Sequence, residues 1–124
     1  MKYDSINYRP PAPVITVRVY RPYSDSFKEG LGKIDTGADI TVIPDKWVEE
    51  LSLRPAEIVS VKTFDGRTIT KTVYFINLEF HKFNFELVKA ISLAGKDVLI
   101  GRNVLNNVKL ILDGKNLDLQ ILDP

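Results

Sequence analysis

The chain has 124 residues, 44% of them hydrophobic, which suits a single domain able to bury a modest core. Its 17 basic and 16 acidic side chains leave a formal charge of +1, so no broad basic field awaits a phosphate backbone and no nucleic-acid partner is expected. With no cysteine, disulfides, thiolate metal sites and thiol catalysis are excluded.

The first stretch, Met1 to Pro13, carries Pro10, Pro11 and Pro13, which favour extended backbone and remove donors; it reads as a Pro-rich, poorly ordered arm (residues 1–13) ahead of a domain at 14–124. It has no apolar h-region, and no window approaches the roughly 18 apolar residues of a membrane span, so a soluble, cytoplasmic protein with no membrane partner is expected. From Val14, "VITVRVY" alternates Ile15, Val17 and Val19 with polar neighbours, and "RPYSDSFKEG" supplies turn residues, which together predict a hairpin or meander. "PDKWVEELSL" predicts a short helix. Pro44 suits its first turn, Asp45 meets the positive dipole end, and Trp47 and Leu51 share a core-facing side.

Residues 57–80 are β-branched and aromatic on both sides of Asp65-Gly66, a pattern that predicts a long hairpin with both turn residues at positive φ. "HKF" turns the chain into a further strand, "NFELVKAISL". The remainder predicts a strand, a helical turn at 102–107 and a terminal hairpin about Gly114. The expected architecture is mostly β. His81 is the lone histidine and sits in a turn, so neither a catalytic histidine nor a metal site is expected.

One stretch breaks the strand logic. In "KIDTGADITVIP", Lys33 to Pro44, an apolar run is interrupted by Asp-Thr-Gly-Ala-Asp, whose Asp and Gly a strand interior disfavours. A tight turn stabilised by the Asp side chain is one account. The other is a site: "IDTGADITVIP" resembles the active-site loop of the single-domain, retropepsin-like aspartic proteases. "VLIGRNVL", Val98 to Leu105, is similar to the Gly-Arg-Asn element that precedes their C-terminal helix. The two occur in the family's order, so the likeness spans Val14 to Leu122.

That resemblance implies a retropepsin-like β-barrel with one short C-terminal helix and a β-hairpin flap, acting as an aspartic endopeptidase on a peptide or protein substrate without a cofactor. Two carboxylates sharing one proton supply the base that activates water and the acid that protonates the carbonyl oxygen. Asp35 is one carboxylate. Thr36 holds the opposing loops together, and Gly37 permits the tight turn. No second Asp-Thr-Gly exists, since Asp65-Gly66 and Asp113-Gly114 lack the hydroxyl residue, so the resemblance implies a homodimer that brings two Asp35 side chains to a two-fold axis.

Further roles are carried over residue by residue. Ala38 and Asp39 bind substrate backbone, and Asp39 pairs with Arg102 in a buried contact, the alternative being an exposed charge pair. Val42 and Leu99 are walls of the substrate cleft or plain core. Gly101 allows close packing beneath the Asp35 loop. The hairpin at Phe64, Asp65 and Gly66 occupies the flap's place, or is an ordinary hairpin on its own sheet; its tip departs from the glycine-rich tip of viral relatives, with Phe64 and Arg67 around one Gly. A retropepsin-like module that binds peptide or protein without cutting it is the competing function.

Overall fold

Alternation in the sequence becomes a closed sheet. In the computed structural model, which describes residues 1–123, β1 (Val14–Tyr20) turns Ile15, Val17 and Val19 into the core and leaves Thr16 and Arg18 outside. Pro124, the last residue of the expected domain, lies outside the described residues. β2 (Phe27–Ile34) returns antiparallel to β1, and β3 (Thr41–Pro44) follows the interrupted stretch. Next come β4 (Pro55–Lys62), β5 (Thr68–Phe80), β6 (Phe83–Leu93) and β7 (Val98–Ile100). Strand order β1-β2-β7-β3-β6-β5 closes on itself because β5 also pairs with β1 through Val19 and Leu78, giving a six-stranded barrel with β4 added at its edge. A separate sheet pairs β8 (Lys109–Asp113) with β9 (Asp118–Leu122).

Two short helices interrupt the strands. α1 (Asp45–Glu50) starts one residue later than the sequence predicts: Pro44 ends β3 with extended ψ of 139° and caps the helix rather than entering it. Trp47 and Leu51 are buried as expected, and Gly30 explains how the indole fits, since a Cβ there would stand 3.0 Å from its ring carbons. α2 (Arg102–Leu105) places Val104 and Leu105 in the main core. Neither helix is long and apolar enough to cross a membrane, and the same holds of every helix among the described residues.

The Pro-rich arm departs from expectation. It is ordered: the Leu119 N–H donates to Met1 O (2.7 Å), Tyr3 N–H to Leu117 O (2.9 Å), and Asp4 and Ala12 exchange two bonds of 2.8 and 3.1 Å. Proline removes donors only at its own positions, and the donors left before and between the prolines, those of Tyr3, Asp4 and Ala12, find partners.

The hairpin also differs at its turn. Gly66 alone has positive φ, 87°, while Asp65 does not. The Gly66 N–H donates to Thr63 O (3.0 Å) and Thr63 N–H to Arg67 O (2.7 Å), which describes a three-residue loop with a glycine bulge rather than a two-residue turn. Residues 68–73 of β5 pair with β4 and not with β6, so the outer half of the hairpin is a two-stranded ribbon projecting from the barrel.

Candidate active site

The Asp35 loop grows out of the end of β2. Its first amide continues the parallel ladder with β7, Asp35 N–H donating to Ile100 O (3.0 Å). The chain then turns: Ala38 N–H donates to Asp35 O (3.2 Å), and Gly37 N–H to Asp35 Oδ1 (3.1 Å), an Asx-type bond that fixes one carboxylate oxygen and leaves Oδ2 without a hydrogen bond among the described residues. Asp35 and Ala38 are half-buried, Thr36 and Gly37 exposed. The outcome is a carboxylate with one oxygen fixed by its own loop.

The Gly-Arg-Asn element locks this loop from below. Arg102 N–H donates to Ala38 O (2.9 Å), and its Nη1 to Thr36 O (2.8 Å), while Nη2 pairs with Asp39 Oδ1. Gly101 lies so close that a Cβ there would stand 2.7 Å from the carbonyl carbon of Ile40 and 2.8 Å from its oxygen. Only glycine permits that approach. The Asp39–Arg102 pair forms as predicted but is not buried, with side chains 86% and 44% exposed in the subunit. Water screens it, so its own stabilisation stays under about 1 kcal/mol, and the two Arg102 bonds to loop carbonyls do more to position the turn.

Sequence reasoning overlooked a further pair. Thr41, 0% exposed, accepts the Gly101 N–H (3.2 Å) and donates its hydroxyl to Asn103 Oδ1 (2.9 Å), which also receives the Thr41 N–H (3.0 Å). Asn103 Nδ2 donates in turn to Lys89 O (2.8 Å). This network ties β3, α2 and β6 together directly behind the loop. A threonine inside the run Ile40–Ile43 fits any strand, so the only available signal was a polar side chain at a position where its neighbours Val42 and Ile43 are buried.

Val42 and Leu99 pair across β3 and β7 and join a second apolar cluster, separate from the main core, with Val59, Val61, Val73 and Ile91. Val42 is buried and Leu99 half-buried, so the cluster forms a floor that links the face beside the Asp35 loop to the base of the hairpin. Phe64, Asp65 and Gly66 are placed apart from this assembly, at the tip. Phe64 is fully exposed. Asp65 accepts the Arg67 N–H (3.2 Å) and Nε (2.8 Å) and the Thr63 hydroxyl, and these bonds, Thr63 first, hold its carboxyl below the usual range. No hydrogen bond or ion pair among the described residues connects the tip to the Asp35 loop.

A family model described as gag-polyprotein putative aspartyl protease matches residues 33–107, which contain the Asp35 loop, the hairpin and the Gly-Arg-Asn element. Among solved structures, a foamy viral protease–reverse transcriptase in complex with double-stranded DNA is similar over 74% of this chain, with a TM-score of 0.54 and 22% identity. This chain spans 15% of that one, and the likeness is one of fold. No curated protein sequence matches the chain.

Proposed function

Because the chain belongs to the gag-polyprotein aspartyl protease family, retropepsin-like in kind, we propose that it is an aspartic endopeptidase active as a homodimer. The reading is carried by one observation: the Asp35 carboxylate stands at the end of a loop pinned on both sides, by Ile100 O through its own amide and by Arg102 through Thr36 and Ala38. A general acid–base group must be held still relative to the bond it attacks, and this loop is held by a residue 66 positions away.

The chemistry needs two carboxylates, and the sequence supplies one Asp-Thr-Gly. An isologous dimer brings Asp35 and its symmetry mate together, where like charges about 3 Å apart cannot both ionise and the pair retains one proton. The ionised carboxylate takes a proton from water, which attacks the peptide carbonyl; the protonated one donates to the carbonyl oxygen. Collapse of the tetrahedral intermediate passes a proton to the leaving amine. The two-stranded ribbon of β4 and β5 acts as the flap, closing over an extended peptide and excluding water, with Phe64 meeting the substrate from its tip. Ala38 and Asp39 bind the peptide backbone, Val42 and Leu99 wall the cleft, and Gly101 and Arg102 support the loop. Residues 14–124 form the protease domain, with the proline-rich segment as an appended arm.

The test is a peptide-library digest from pH 4 to 7 with wild type and Asp35→Asn in parallel. Cleavage by wild type and a loss of about 10²–10⁴-fold in the variant is the expected result. Equal cleavage by both removes Asp35 from the mechanism, and tight peptide binding without cleavage by either establishes a binding module instead.

A further inference from the structure

Tyr8, Lys33 and Asp97 form a small cluster of polar side chains at the β2–β7 side of the barrel. Lys33 lies on β2 two residues before Asp35. Asp35 follows the last residue of β2, and its amide still donates to Ile100 O, so the alternation of the strand carries on to it and sets Lys33 and Asp35 on one face, about 7 Å apart along the chain. Their neighbour Ile34 is turned into the main core. Lys33 is also the register partner of Leu99, whose side chain belongs to the second cluster under the hairpin. Lys33 therefore stands on the cleft side of the barrel, in one row with Leu99 and Val42.

Its ammonium has no carboxylate within ion-pair distance among the described residues; instead Nζ sits 4.7 Å from the centroid of the Tyr8 ring. The Tyr8 hydroxyl donates to Asp97 Oδ2, and burial, followed by that bond, raises the phenol's pKa so that the ring keeps its proton. Asp97 precedes Leu99 by two residues and thus lies farther from Asp35 than Lys33 does. Tyr8 contacts the ammonium through its ring and Asp97 through its hydroxyl. Lys33 thus gives this wall a positive charge that has no carboxylate partner among the described residues.

We propose that Lys33 is a specificity-determining residue of the cleft: its ammonium, held by Tyr8, receives the acidic side chain of the peptide residue bound next to the scissile bond. This rests on the endopeptidase reading of the Asp35 site. A peptide laid over the wall strips water from the ammonium, which is costly unless the peptide brings a counter-charge. An apolar side chain leaves the charge unpaired; a carboxylate satisfies it.

The experiment uses matched peptides with Glu, Gln or Leu at each position flanking the bond. Cleavage is read as kcat/KM, and binding as the Kd of the same peptides carrying a non-hydrolysable reduced bond, measured by calorimetry. At one position Glu is expected to exceed Gln by about tenfold in wild type, the factor set by about 1.4 kcal/mol. That preference should vanish in Lys33→Met and Lys33→Gln, persist in Lys33→Arg, and shrink in Tyr8→Phe. Circular dichroism identifies any variant that fails to fold, and the Met and Gln variants substitute for one another. No Glu preference at any position, or a preference that survives loss of the lysine, overturns the assignment. Charge-selective binding without cleavage retains it while refuting the endopeptidase, and cleavage without charge selection does the reverse.

Discussion

The loop from Asp35 to Ile40 and the turn from Thr63 to Arg67 each carry an acid and a glycine between strands, yet they are held in opposite ways. Asp35's loop is fixed from afar: Ile100, Gly101, Arg102 and Asn103 reach it or the strand behind it from 60 to 66 residues away along the chain. Asp65's turn is fixed from within, by Thr63 and Arg67 alone, and leaves Phe64 wholly exposed. Long-range bonds immobilise a group relative to the whole barrel, whereas local bonds shape a turn that still moves as a unit with its ribbon. In the proposed endopeptidase the first would serve a carboxylate that is aimed, the second a flap that opens.

The distant hold on the Asp35 loop is most sensitive at Gly101. Gly101→Ala sets a methyl group against the Ile40 backbone, which cannot rotate away as a side chain could. A loss of about 3 kcal/mol in stability is expected by urea unfolding, with any residual folded protein inactive. A stability within experimental error of wild type would show the loop to be loosely held.

Asn103→Ala comes next. It strands the buried Thr41 N–H and hydroxyl together, and a cost of about 2 kcal/mol follows from leaving such groups unpaired. Denaturant melts measure it, and slower cleavage should accompany it because the strand behind the loop is released. An unchanged melt would mean that other groups satisfy Thr41.

The smallest effect sharpens the other side. Asp65's carboxyl pKa is lowered by folding, so its contribution is present above the unfolded value near 3.8 and is lost as pH falls through the lower folded value. Acid should therefore loosen the turn, seen as a change in the Arg67 amide resonance below about pH 4, while resonances of the barrel core stay put. Simultaneous change in both regions would deny the turn its independence.

Much of this was readable from residue order. β-branched alternation announces β1 and the long hairpin because burial on one face imposes a period of two, and the Asp-Thr-Gly and Gly-Arg-Asn elements are contiguous. What escaped depends on distance or exposure. Thr41 and Asn103 are 62 residues apart, and a threonine in a strand carries no mark of its partner. The Asp39–Arg102 pair was expected buried, but sequence gives charge and not solvent access. Asp-Gly suggested a two-residue turn because Asp tolerates positive φ, yet Asp65's own side-chain bonds favour a longer loop. The arm's prolines concealed the donors that order it.

In the proposed homodimer each subunit supplies half of one active centre. The most direct measurement mixes wild type with a catalytically dead Asp35→Asn chain at fixed total concentration, with subunits allowed to exchange, and follows peptide cleavage. If only wild-type pairs carry both carboxylates, activity falls with the square of the wild-type fraction, to about a quarter at equal mixing. A straight-line fall, to about half, would mean that a single chain performs the reaction and would contradict the account.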